Sequence, residues 1–287
     1  VEFGGGIGDH LLCSVVFREL RERGQTHMWM MTNYDTLFHH NADVDAVQPV
    51  DWRVSALLKR AGVRRYRPIY TLRNRETDRD QPPPRHIIAY MCELSGLRGS
   101  VALRPYLQLL EQERAIGSVV PRQIAIQSSG MGARYPMGNK EWYPERFQTV
   151  VTALRDRYNF VQLGTTSDPP LDGAIDLRGK TSLRESAAIL SQSLAFVGQV
   201  GFLMHLARAV DCRSVIVYGG REWPDTTGYI CNENLFSTPP CAPCWLWNRC
   251  DYDRRCMQVI HADAVVAAVE RQVERYGTPL PVQREIV

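Results

Sequence analysis

Residues 177–218, LRGKTSLRESAAILSQSLAFVGQVGFLMHLARAVDCRSVIVY, decide the fold class. Ser182 and Glu185 have the S-x-x-E spacing of a capping box, in which hydroxyl and carboxylate satisfy backbone N–H groups left free at a helix start. Leu183, Ala187, Leu190 and Leu194 then recur at helical spacing and predict one buried stripe. Residues 194–197 form a short apolar run suited to a buried strand, ended by Gly198. A second helix is expected with Leu203, Leu206, Ala207 and Val210 on one face, and residues 214–218 read as the next strand. Helices of this length between buried strands indicate crossovers in a parallel sheet, hence an α/β protein. Ligands on such sheets bind at the carboxyl ends of strands, which directs attention to residues 198–202, His205 and Gly219-Gly220.

Working outward, a chain of 287 residues has room for two core-bearing units. We place an N-terminal unit at 1–115 and a C-terminal unit at 116–287, with the polar stretch 111–122 as linker. The net charge of +3 is too small to argue for a nucleic-acid partner. No apolar run approaches the roughly 20 residues of a membrane-spanning helix. The opening VEFGGGIGDH lacks the pattern of a secretory signal, so the expected location is cytoplasmic.

Residues 3–10 form a glycine-rich turn leading into a helix with Leu12, Val15, Val16 and Leu20 as apolar positions. Such a turn lets backbone approach a ligand, and the helix start presents N–H groups suited to an anion. The dinucleotide fingerprint G-x-G-x-x-G is not met, which disfavours a nicotinamide cofactor. Asp9 stands where the helix begins and reads as a cap or as an acid–base group. Residues 27–31 and 44–50 read as strands and 52–61 as a helix. Residues 64–85 carry seven arginines and three acids and read as a solvated loop, with a platform for an anionic acceptor as the alternative. Helical spacing returns at Ile87, Ile88, Met91 and Leu94, and 106–110 is expected to be a last strand or bridge.

The second half repeats the alternation. A strand at 123–127 ends in Ser128-Ser129-Gly130. A loop through Lys140-Glu141-Trp142 leads to a helix with Phe147, Val150, Val151 and Leu154 on one face, and a strand at 160–163 is followed by Gly164-Thr165-Thr166. Small hydroxyl residues and glycine after successive strands, with a lysine near, suit a diphosphate.

Taken together, these residues resemble family 9 glycosyltransferases, the heptosyltransferase family. Gly6-Ile7-Gly8-Asp9-His10-Leu11 is similar to the family's N-terminal loop and Lys140-Glu141-Trp142 to its K-x-W segment. Gly179-Lys180-Thr181-Ser182-Leu183 and Met204-His205-Leu206-Ala207 are similar to its G-K-T-S-L and M-H-L-A segments. The resemblance implies two Rossmann-like domains facing a cleft (GT-B). It also implies inverting transfer of heptose or a related sugar from a nucleotide-diphosphate donor, ADP-linked by expectation, without a catalytic metal. The acceptor would be a bacterial glycan, a lipid-linked saccharide or a protein, with peripheral membrane contact left open. Carried over, Asp9 is the general base on an acceptor-side loop containing Gly6 and Gly8. Ser128, Ser129, Lys140, Gly164, Thr165, Thr181, Ser182, Leu183, Gly201 and His205 form the donor side. The sequence departs from the pattern at Val200, where the family carries an Asp that contacts the donor sugar. Either the donor sugar is not the usual heptose, or Gln199 takes over that contact, or the chain is a nucleotide-sugar-binding or assembly subunit that kept the fold without turnover.

Cys241, Cys244, Cys250 and Cys256 fall within sixteen residues, as C-x2-C-x5-C-x5-C. Four thiolates so spaced can close a tetrahedral site for structural zinc or iron, with no position open for catalysis. Two disulfides are the alternative, disfavoured in a reducing compartment. Autotransporter heptosyltransferases are similar here. The helix expected at 262–276 would, in the resembling fold, pack back across the domain junction.

Overall fold

A computed structural model of the chain describes residue 1 and residues 5–287; Phe3 and Gly4 of the glycine-rich turn lie outside the described residues. The first half contains helix α1 (Ile7–Glu22), strands β1 (Trp29–Met31) and β2 (Ala46–Gln48), and helix α2 (Trp52–Arg60). These are followed by the short hairpin strands β3 (Arg73–Asn74) and β4 (Arg79–Asp80), helix α3 (Ile87–Leu94), strand β5 (Ser100–Ala102) and helix α4 (Glu111–Ile116). The second half continues with β6 (Gln123–Ile126), α5 (Pro144–Leu154), β7 (Asn159–Gln162), β8 (Ala174–Asp176), α6 (Leu183–Ser191), β9 (Phe196–Gln199), α7 (Phe202–Ala209) and β10 (Ser214–Val217). It ends with α8 (Pro224–Thr227), β11 (Glu233–Leu235), α9 (Arg255–Gln258), α10 (Ala262–Glu274) and β12 (Arg284–Ile286).

The predicted parallel sheet is present with six strands in the order β11-β10-β9-β6-β7-β8. The residues of β6, β9 and β10 are buried throughout, as fits strands covered on both faces. One face carries α5 and α10, whose Phe147, Val150, Val151, Val265 and Val269 close a core with Ile124, Ile126 and Val217. The other face carries α6 and α7. Their Ala187, Leu190, Leu203 and Leu206 share one continuous core with Leu11, Val15 and Phe17 of α1 and Ile88 and Met91 of α3. Helices α6 and α7 therefore lie between the sheet and the first half of the chain. The capping box holds as read: Ser182 Oγ accepts from Glu185 N at 3.2 Å, and Ser182 N donates to Glu185 Oε2 at 2.7 Å.

Several elements differ from expectation. Residues 106–110 form no strand; Pro105 intervenes, and the extended chain buries Leu107 and Leu109 while Tyr106 N donates to Ser14 Oγ. The stretch 111–122 contains α4, because Glu113 caps Leu110 N and pairs with Arg184 at 2.5 Å. Strand β9 runs through Gly198 to Gln199. Helix α10 does not cross to the first half but packs on α5, β10 and β11. The crossing is made by the segment beyond it, where β12 pairs antiparallel with β5. No helix among the described residues is long and apolar enough to span a membrane.

Candidate functional site

The sheet order reverses between β9 and β6, since β7 and β8 lie to one side and β10 and β11 to the other. In open α/β sheets the crevice at such a switch, beyond the carboxyl ends of the strands, is where ligands bind. Gly130, Gly201 and Glu222 follow β6, β9 and β10 at this edge. Gly219 lets the end of β10 approach the loop before α5, for a Cβ there would sit 2.5 Å from the Asn139 carbonyl oxygen. That approach sets Lys140 Nζ 2.5 Å from Glu222 Oε1. Glu222 is buried. Burial opposes its ionisation, but Lys140 and Arg221 together hold its carboxyl below the usual range.

Helices α1 and α7 meet at their first turns. A Cβ on Gly8 would stand 3.6 Å from the His205 ring and 3.7 Å from the Phe202 Cα. Gly201 caps α7 without a side chain, and open space lies where its Cβ would be. Two helix starts with their free N–H groups thus border the crevice. Asp9 lies in the first turn of α1. Its Oδ2 accepts from Gly6 N at 2.8 Å and its Oδ1 from the Tyr70 hydroxyl at 2.7 Å. Burial raises its pKa above the usual carboxylate value, against the opposing pull of Tyr70, Gly6 and the Lys140 charge.

The remaining expected residues divide into two groups. Ser129 Oγ donates to Glu141 Oε2 at 2.7 Å, and Glu141 Oε1 accepts from Gly130 N at 2.8 Å and from Gln199. Gln199 Oε1 in turn accepts from Trp142 N at 3.2 Å. Gln199 therefore fastens the Lys140-Glu141-Trp142 loop to the sheet, with both ends of its amide engaged there. Val200 is itself buried in the core. Ser128 is fully buried and donates to the Pro169 carbonyl at 2.6 Å, beneath the crevice rather than facing it. His205 is buried with Nδ1 2.6 Å from the Tyr229 hydroxyl; burial, with Lys140 and His86 near, lowers its pKa to about 3, so the ring is neutral.

The second group lies beyond β7 and β8. Gly164 has φ of 134°, and a Cβ there would fall 2.1 Å from Asp168 Oδ2. Thr165 Oγ1 donates to Asp168 Oδ1 at 2.7 Å. Thr181 and Ser186 hydroxyls are 2.8 Å apart, Ser182 is the exposed cap of α6, and Leu183 packs on the core.

Cys241, Cys244, Cys250 and Cys256 line one cavity of about 230 Å³, together with Arg79 and Arg221. Cys250 Sγ accepts from Arg254 N at 3.4 Å, and Cys244 has a similar bond from Leu246 N. The four thiols are free, and among the described residues no group of three or more His, Cys, Asp or Glu side chains is arranged to hold a metal ion. The donor set suits zinc or iron in kind, with backbone N–H groups of the sort that stabilise bound thiolate; the loops would have to draw the sulfurs together.

Of the arginines in 64–85, Arg73 pairs with Asp78 at 2.6 Å and stacks 3.8 Å over Trp247, and Arg85 donates to the Ile286 carbonyl. These hold structure together. Sequence reasoning missed Tyr70, which carries no pattern in an arginine-rich stretch. It also missed Glu222, although a charged residue just past Gly219-Gly220 at a predicted strand end was a signal to follow.

Residues 131–246 match the model of Glycosyltransferase family 9 (heptosyltransferase), which bears out the family resemblance. No curated protein matches the chain by sequence. Solved structures share the fold, among them the following three. The ADP-heptose LPS heptosyltransferase II of E. coli aligns at TM-score 0.72 and 15% identity, covering 96% of this chain and 98% of that one. The iron-containing dodecameric glycosyltransferase TibC of enterotoxigenic E. coli H10407 aligns at 0.69 and 17%, covering 96% and 75%. A family 9 glycosyl transferase of Veillonella parvula DSM 2008 aligns at 0.68 and 14%, covering 96% of each. The fold is thus the GT-B arrangement of heptosyltransferases.

Proposed function

We propose that this chain is an inverting glycosyltransferase that moves heptose or a closely related sugar from an ADP-linked donor to a glycan, lipid-linked saccharide or protein. The observation that carries this reading is Asp9: a carboxylate of raised pKa, anchored through both oxygens in the first turn of α1, facing the crevice opposite the start of α7. The family match over residues 131–246 and the donor named for the E. coli heptosyltransferase II supply the sugar class.

In the step this arrangement suits, an acceptor hydroxyl attacks the anomeric carbon from the face opposite the diphosphate. Asp9 takes the hydroxyl proton as the new C–O bond forms. The bond from the anomeric carbon to the phosphate oxygen breaks, and ADP departs with the electron pair. Lys140 and the free N–H groups at the start of α7 stabilise the charge gathering on the diphosphate. The hydroxyl of Ser129 acts one shell out by fixing Glu141 and hence the loop that carries Lys140. The N-terminal unit, 1–115, supplies the acceptor side and the unit 116–287 the donor side.

We further propose that Cys241, Cys244, Cys250 and Cys256 take up zinc or iron as a structural ion; TibC is described as iron-containing. The ion would knit the loop and take no part in transfer.

The test is Asp9→Asn, assayed for donor binding by calorimetry and for ADP release and transfer from ADP-heptose. Binding within a few-fold of the parent with turnover reduced by about 10²–10⁴ is expected. Parental turnover in Asp9→Asn removes Asp9 as the base. Burial of Val200 and engagement of Gln199 favour a second reading, a donor-binding subunit without turnover. Tight binding of ADP-heptose by the parent with no ADP release in the presence of acceptors would select it.

A further inference from the structure

We infer that Tyr70 is a positioning residue for Asp9, and that the cysteine segment holds it in place through the β3–β4 hairpin. The inference rests on Asp9 as the base. The Tyr70 hydroxyl donates to Asp9 Oδ1 at 2.7 Å across 61 residues of sequence. It fixes the carboxylate plane together with the Gly6 N–H on Oδ2, and it leaves each oxygen with lone-pair capacity for the acceptor proton. A hydrogen bond to the charged form also favours that form, so Tyr70 opposes the rise that burial imposes on the Asp9 carboxyl.

What places Tyr70 is the hairpin that begins three residues later. Gln81 N donates to the Leu72 carbonyl at 3.1 Å and Thr71 Oγ1 to the Gln81 carbonyl at 2.8 Å, closing the hairpin base next to Tyr70. The hairpin lies on the cysteine segment. Asp80 N donates to the Trp245 carbonyl and Trp247 N to the Asp78 carbonyl, each at 2.9 Å. Asp78 Oδ2 accepts from Asn248 N at 2.7 Å and Arg249 N at 2.9 Å. Buried Arg221 pairs with buried Asp80. Residues 245–249 sit between Cys244 and Cys250, so the shape of the cysteine loop sets the position of the hairpin, and the hairpin sets Tyr70. A segment remote in sequence and outside the reacting atoms thereby reaches the base.

The experiment compares pH profiles of kcat/KM for ADP release from ADP-heptose in the parent, Asp9→Asn, Tyr70→Phe and Asp78→Ala. Loss of the phenol hydroxyl should raise the pH of the acid limb by about one pH unit, the scale of one hydrogen bond to a charged group. The rate should fall roughly tenfold below that limb and return toward the parent at higher pH. Asp78→Ala, which touches neither Asp9 nor the crevice, should move the limb the same way by a smaller amount, and it stands in should Tyr70→Phe fail to fold. An unmoved limb in a folded Tyr70→Phe protein, with Asp9→Asn inactive, overturns the inference and leaves the base assignment standing. A parental rate in Asp9→Asn overturns both.

Discussion

Replacing Lys140 with Met tests the electrostatics of the crevice independently of turnover. Glu222 is 3% exposed, and the cation left to it after the change is Arg221, whose Nε lies 3.8 Å away and whose Nη2 is committed to Asp80. Removing one partner of a buried pair leaves an uncompensated charge and costs about 3–5 kcal/mol. Lys140 retains 21% side-chain exposure, so the lower end, about 3 kcal/mol, applies here. For a chain of 287 residues that corresponds to a fall in Tm of roughly 5 °C at pH 7. The pH dependence carries the discrimination. Because the folded-state pKa of Glu222 is held below its unfolded value, the pair stabilises above the unfolded pKa, and the contribution is lost as pH falls through the folded one. The deficit of Lys140→Met should therefore shrink as pH is lowered toward 4. The double variant Lys140→Met/Glu222→Gln should recover most of the loss at pH 7, because no buried charge remains. Melting curves for the four proteins of this cycle at pH 7 and pH 4.5 decide it. An equal deficit at both pH values, or a double variant no more stable than Lys140→Met, would refute the reasoning.

Gly219→Ala should push the Asn139–Lys140 loop off the end of β10, destabilising by about 1–3 kcal/mol and raising KM for ADP-heptose; an unchanged KM would show that the close approach does not place Lys140. His10, His86 and His205 are buried with pKa values of about 4, 4 and 3, so the unfolded chain binds more protons than the folded one below about pH 6.5. Stability should fall on acidification from there at up to about 4 kcal/mol per pH unit, and a Tm that stays flat from pH 6.5 to 5 would contradict their burial as neutral rings. Glu113, held at about 2 by hydrogen bonds from Arg184, should lose roughly 1–2 kcal/mol on change to Gln at pH 7 and almost nothing at pH 2. Elemental analysis of protein purified without added metal should find near one equivalent of zinc or iron; neither metal, with the thiols intact, would remove the structural-ion proposal.

The stretch 177–218 was legible because its information is local. A capping box, two apolar stripes at helical spacing and two short buried runs each name one element, and their alternation names the sheet. The hairpin at 73–80 escaped because its strands are two residues long and polar, and much of what holds it comes from bonds to residues 245–249. The helix in 111–116 escaped for a similar reason: one of its end acids answers Arg184, some seventy positions away. At the candidate site, glycines and Asp9 could be read from turn chemistry, whereas the partner that aims Asp9 could not. Ser128 illustrates the opposite error. A hydroxyl at a strand end looks available in sequence, but Gln162 and the Pro169 carbonyl consume it below the surface.

The pairing of β5 with β12 has a consequence for synthesis. Strand β5 is complete once Ala102 has been made, yet its partner, Arg284–Ile286, is translated about 180 residues later, which at typical ribosome speeds is a delay of roughly 10–40 s. Throughout that interval the nascent first half carries an open strand edge, and until Ala209 has been made α1 and α3 also lack the α6–α7 surface that covers them. The first half cannot be finished on the ribosome ahead of the second. The chain should therefore emerge as a client of chaperones that shield apolar helices, and it should reach protease resistance in one late step rather than in two.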